Sequence, residues 1–188
     1  MQDFTPFSEL GVTLRNSFMR LFTAVREREK GVVIASSQRC GTHLIGAYLR
    51  TTKIGTPGEH FLDYLNTRAG GRCPEKLTEA LSRIVVDGSG GAHDAFSLVL
   101  MGYAETIGVD LEAIGLSQSL LSRSMKHLTW VWLRRDWAEV SVSHYFAVKT
   151  GAWESSAGDH APPPFDAQEI YRWWRHIQAT DAFWDRYF

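Results

Sequence analysis

The sequence predicts an α/β fold, a parallel sheet flanked by helices. Three observations carry that expectation. Residues 31–35 (Gly-Val-Val-Ile-Ala) and 128–133 (Leu-Thr-Trp-Val-Trp-Leu) have the length and the β-branched or aromatic content of buried strands. Segments of helical period lie before, between and after them. The first strand also breaks into a glycine-bearing polar loop and resumes as a helix. Strands that alternate with helices call for parallel pairing and right-handed crossovers.

Each element has its own warrant. Residues 12–25 repeat apolar groups at Leu14, Phe18, Leu21, Phe22 and Val25, an amphipathic helix that the charged run 26–30 ends. After the first strand, residues 36–43 form the polar loop. Residues 44–50 then put Leu44, Ile45, Tyr48 and Leu49 on one helical face. Residues 56–61 (Thr-Pro-Gly-Glu-His-Phe) read as a turn with two ionisable groups. Pro74 starts a helix carrying Leu77, Leu81 and Ile84. Residues 88–91 are a flexible Gly-Ser-Gly-Gly loop, residues 95–101 have strand length, and residues 111–121 read as helical. Asp136 and Glu139 resemble a capping box that opens a helix over 137–150, with Gly151 to close it. A linker at 162–164 (Pro-Pro-Pro) precedes a second D-x-x-E pattern, Asp166 to Glu169. That pattern opens a last helix with Ile170, Trp174, Ile177, Trp184 and Phe188 on one side. No internal repeat or low-complexity tract interrupts the chain.

Size and charge narrow the function. The 188 residues fit one domain, 1–188, with a real core. A formal net charge of −1 gives no basic surface for nucleic acid, so any cationic site must be local. No apolar run approaches a membrane span, and the N-terminus lacks a basic and then apolar leader. The expected location is therefore the cytoplasm. Cys40 and Cys73 form no disulfide framework, and no acidic, His or Cys cluster has metal-ligand spacing.

The loop carries the chemistry. A helix start offers unpaired N–H groups and the positive end of its dipole to an anion. Arg39 adds a planar fork of donors, and Gly41 lets the backbone approach the ligand. The nucleoside triphosphate loop G-x-x-x-x-G-K-[ST] is not matched. Its first glycine is absent, and the cation precedes Gly41. Cys40 is either a small loop filler or a thiol whose pKa the helix dipole and Arg39 lower.

Two segments in this order resemble one family. Residues 35–44, with Ser37, Gln38, Arg39, Cys40, Gly41, Thr42 and His43, resemble the phosphosulfate-binding loop of sulfotransferases, in which a basic residue precedes Ser/Cys-Gly-Ser/Thr. Residues 132–143 resemble their 3′-phosphate site, an arginine at a strand end followed about eight residues later by a helical serine. Arg135 and Ser143 have that spacing, and Arg134 is one residue off. The details look most like the bacterial trehalose-type (lipopolysaccharide) sulfotransferases. Further likenesses are residues 58–61 (Gly-Glu-His-Phe), residues 149–153 (Lys-Thr-Gly-Ala-Trp) and the final Trp-rich helix.

The resemblance covers residues 31–188 and implies a P-loop-like sulfotransferase architecture. The co-substrate it implies is 3′-phosphoadenosine-5′-phosphosulfate, with no metal. The acceptor it implies is a hydroxyl of a carbohydrate or glycolipid. Catalytic roles fall to Arg39 and to Glu59, which matches the family's turn glutamate, with His60 and His43 as second choices of base. His60 and Trp153 are the acceptor contacts. Trp153, Trp173 and Trp174 offer flat faces for a sugar, although Trp174, like Trp184, keeps the helical period of core residues. His43 stands where many relatives carry Ser or Thr, and Val99 where they carry Lys. The family fold continues with another strand and helix beyond the position of Phe188. The expectation is a sheet edge that invites a homodimer or strand exchange. Two rivals stay open: a kinase on the same architecture, and a non-catalytic nucleotide-binding or interaction module.

Overall fold

The computed structural model describes residues 8–52, 54–55, 57–68, 74–88, 95–102, 104–117, 120–153 and 160–188. In chain order the elements are α1 (Glu9–Arg26), β1 (Lys30–Ser36), α2 (Thr42–Thr51), α3 (Leu62–Arg68), α4 (Pro74–Gly88), β2 (Ala95–Met101), α5 (Ala104–Ala113), α6 (Leu120–Ser124), β3 (Thr129–Leu133), α7 (Trp137–Thr150) and α8 (Ala167–Tyr187). The described strands form one parallel sheet in the order β2-β1-β3. The α/β architecture expected from the alternation is the one adopted.

β1 is central, and its side chains are buried on both faces, as a continuous apolar run requires. Alternate residues face opposite ways. Val33 and Ala35 join Phe96, Leu98 and Leu100 of β2 in the larger core, with Leu14, Phe18, Leu21 and Val25 of α1, Leu77, Leu81 and Ile84 of α4, and Trp184 of α8. Ile34 and Val99 face the other way, into a smaller cluster with Leu49 of α2 and Met101. Burying Val99 there leaves no cation at that position of β2. Gly31 has no room for a side chain, since a Cβ would stand 2.3 Å from the Phe96 carbonyl oxygen of β2.

Helix boundaries follow local chemistry. Ser8 caps α1 by accepting from the Gly11 N–H at 3.0 Å. Asp136 and Asp166 cap α7 and α8, each accepting two first-turn N–H groups. The acids three residues on do not complete the capping boxes. Glu139 pairs with Arg135 at 3.0 Å and Glu169 with Lys149 at 2.6 Å.

Three expectations are corrected. α2 begins at Thr42, so Thr42 and His43 are helical, because Gly41 takes the turn as a left-handed N-cap. The predicted apolar face of α2 is rotated: Thr42, Gly46 and Leu49 are buried, while Leu44 and Tyr48 are 75% and 65% exposed. Pro57 lies over Gly46, its Cγ 3.6 Å from where a Cβ on that glycine would stand, and covers that side of α2. The helix read at 111–121 is broken, since Gly115 turns left-handed after α5 and the chain restarts as α6. Cys73 and residues 89–91 of the expected flexible loop lie outside the described residues.

The topology sets where a ligand can sit. β1 has β2 on one side and β3 on the other, so the chain changes direction across the sheet at β1. Open α/β sheets bind ligands beyond the strand C-termini at such a switch point. The turn leaving β1 sends Arg39 from there to Ser143 of α7, the helix that follows β3.

Candidate anion-binding site

The turn from β1 to α2 is Ser37, Gln38, Arg39, Cys40 and Gly41. Arg39 and Gly41 are both left-handed, at φ 62° and 89°. Glycine takes that conformation freely, whereas arginine strains to do so, by about 1–2 kcal/mol. Strain of this kind gathers at sites that need a fixed backbone. α2 has no side-chain cap, and a Cβ on Gly41 would meet nothing within 4 Å. No side chain caps the first-turn N–H groups of α2, the arrangement that accepts an anion.

Arg39 joins this turn to α7. Its Nε donates to Ser143 Oγ at 3.0 Å, and its NH1 donates to the Trp153 carbonyl. Ser143 lies about 10 Å along α7 from its cap at 1.5 Å per residue. The folded chain therefore brings Arg39 and Ser143, 104 positions apart, into contact. Trp153 itself is half exposed, with its ring against His144.

Glu59 lies on the other side of the turn. Its carboxylate is mostly buried, accepts from Thr42 Oγ1 at 3.1 Å and stands 3.4 Å from His43 Nε2. The Val99 N–H of β2 donates to the Gly58 carbonyl at 3.4 Å and fixes the turn that carries it. The Thr42 hydroxyl, expected to serve the anion, is thereby spent on Glu59. His60 lies beside Gly58 on the same turn.

Arg134 and Arg135 diverge. Arg134 lies over the Trp132 ring at 4.4 Å and near Asp181 and Asp185 at 4.0 and 3.9 Å. Asp181 is buried on α8 and accepts from Trp137 Nε1 at 2.7 Å. Arg135 instead reaches along α7 to Glu139. A groove of about 560 Å³ runs past that side of α7, lined by Arg39, Ala138, Glu139, Val142, Ser143 and Phe146.

Two thiol and imidazole findings modify the reading. Burial pushes the Cys40 thiol up, against its hydrogen bond with Ser37, which favours the loop filler over the thiol lowered by dipole and cation. His144, next to Ser143, is buried between Trp153 and Trp173 with ring centroids at 5.4 and 4.2 Å. Burial, then His176 and Arg39, lower its pKa to about 4. The face of Trp173 is thus spent on His144 rather than on a sugar.

Sequence reasoning overlooked His144, Asp181 and the pairing of Glu139. Asp181 carried a signal, as an acid on the apolar face of α8 between Ile177 and Trp184. Glu139 carried one too, four residues after Arg135. Among the described residues no group of three His, Cys, Asp or Glu side chains could hold a metal ion, and no helix is long and apolar enough to cross a membrane. Comparison of the chain with protein-family models, curated proteins and solved structures finds no match.

Proposed function

We propose that the protein is a P-loop-like sulfotransferase that moves a sulfuryl group from 3′-phosphoadenosine-5′-phosphosulfate to a carbohydrate or glycolipid hydroxyl. The single observation that carries this reading is the hydrogen bond from Arg39 to Ser143. That contact supports the reading because it joins the turn before α2 to α7, the two places that a carrier with anions at both ends of its ribose would bridge. The uncapped start of α2 suits the phosphosulfate, and the Arg135–Ser143 side suits the 3′-phosphate.

In this reading the acceptor oxygen attacks sulfur in line as the sulfur–oxygen bond to the leaving phosphate breaks. Positioning and charge stabilisation do most of the work, as in phosphoryl transfer. Arg39 and the N–H groups of Gly41, Thr42 and His43 stabilise charge on the departing phosphate. Glu59 takes the acceptor proton, and its hydrogen bond from Thr42 aims it across the helix start. Trp153 borders the acceptor side.

Labelled-sulfate transfer to a panel of sugars and lipid extracts tests the proposal. Transfer in the wild type should fall at least tenfold in Glu59→Gln while adenosine 3′,5′-bisphosphate still binds. That binding should need no magnesium and should be lost in Arg135→Ala. Turnover unchanged in Glu59→Gln removes Glu59 from the mechanism. The buried Val99 favours one second reading, a nucleotide-binding module without activity. Bisphosphate binding with no transfer to any acceptor selects it.

A further inference from the structure

The groove beside α7 is lined by one carboxylate, Glu139, and its partner is the arginine that the donor reading needs. Glu139 and Ser143 are four residues apart on α7, so they share a face about one turn apart. Arg39 closes the Ser143 end of that face. At the other end Glu139 is paired with Arg135, whose Nε lies 3.0 Å from Glu139 Oε2. Arg134 is held elsewhere by Trp132, Asp181 and Asp185, whereas Arg135 reaches the groove's edge through its pair with Glu139, which lines it. Glu139 is not needed to start the helix. Asp136 Oδ1 already accepts from Ala138 N and Glu139 N, and the Glu139 carboxylate is turned away to Arg135.

We propose that Glu139 is a built-in counter-ion that competes with a ligand phosphate for Arg135, which weakens nucleotide binding and speeds its release. The inference rests on the reading of this groove as the 3′-phosphate side of the donor site. The pair is exposed and spans one helical turn, so its mutual hold is weak and screened. A phosphate monoester carries nearly two negative charges and three acceptor oxygens, and it outcompetes a carboxylate for the same guanidinium. Once Arg135 has turned to the phosphate, the Glu139 carboxylate stands beside a like charge and opposes it. A ligand lacking that phosphate leaves the Arg135–Glu139 pair in place.

Titration calorimetry on wild-type, Glu139→Gln, Arg135→Ala and the double variant tests this, with adenosine 3′,5′-bisphosphate, adenosine 5′-monophosphate and inorganic phosphate as probes. Glu139→Gln should bind the bisphosphate at least fivefold more tightly and release it more slowly. The monophosphate should be unaffected, and Arg135→Ala should cancel the gain. Its thermal midpoint should stay near wild type, because the Asp136 cap remains. If the wild type binds the bisphosphate through Arg135 while Glu139→Gln leaves affinity unchanged or lower, the counter-ion role is overturned and the donor reading stands. If only inorganic phosphate binds, and more tightly in Glu139→Gln, the counter-ion role stands and the donor reading falls. No binding of any probe to any form overturns both.

Discussion

His144 shows what a single buried side chain contributes. Its ring is enclosed by Trp153 and Trp173, and its Nδ1 has no hydrogen-bond partner. An imidazole so placed stays neutral until about pH 4, whereas in the unfolded chain it titrates near 6.5. Between those values the unfolded state binds more protons, so stability must fall as the pH drops through that window. His176, also lowered by burial, acts in the same sense. Urea midpoints at pH 7.5 and pH 5 should therefore diverge, and His144→Phe should narrow the gap. A full gap in that variant assigns the loss to other groups. Sequence could not announce this histidine, because its neutrality comes from rings that α8 and the turn after α7 bring to it.

At the scale of elements, local rules and neighbours divide the credit. The caps at Asp136 and Asp166 were legible, because a short acceptor before an apolar run has one favoured use, whereas the Ser8 cap of α1 went unread. The apolar run of β1 was legible for the same kind of reason. Less visible was Gly31, where the backbone of β2 presses closest. Gly31→Ala should lose about 1–3 kcal/mol, the usual cost of overpacking, measured by urea unfolding. A loss within error would mean that β1 and β2 can part there without strain. The rotation of α2 was also hidden. Spacing alone marks an apolar face, but tertiary packing, Pro57 over Gly46 among it, decides which side of the helix is covered.

The whole molecule hangs its site on one long helix. Trp184 of α8 is fully buried, lies within 6.4 Å of Trp130 of β3, and donates its Nε1 hydrogen to the Ser36 carbonyl at 3.1 Å. Asp181, one turn earlier, accepts from Trp137 at the start of α7. α8 thus ties the ends of β1 and β3 to each other, which are the roots of both halves of the groove. Trp184→Phe keeps an aromatic ring in the core and removes the donor. It should cost about 1–3 kcal/mol through the weakened Ser36 carbonyl, and weaken bisphosphate binding in step. Unfolding midpoints and titration calorimetry check both effects. Lost stability with full affinity would separate the site from this brace.

The sequence by itself determined the alternation of strands and helices, the parallel sheet, the polar turn after β1 and the residues of that turn. Those properties depend on periodicity, capping and side-chain type within a few positions. It also placed Arg39, Glu59 and Ser143 on its short roster of candidates through a resemblance. Only the tertiary structure decided that Arg39 meets Ser143, that Thr42 serves Glu59, that the two arginines part company and that burial raises the Cys40 thiol. Those outcomes depend on which surfaces pack together, over separations as long as the 104 positions between Arg39 and Ser143. Spacing along the chain holds no record of such distances, because they are fixed by the sheet order and by the helix that covers it.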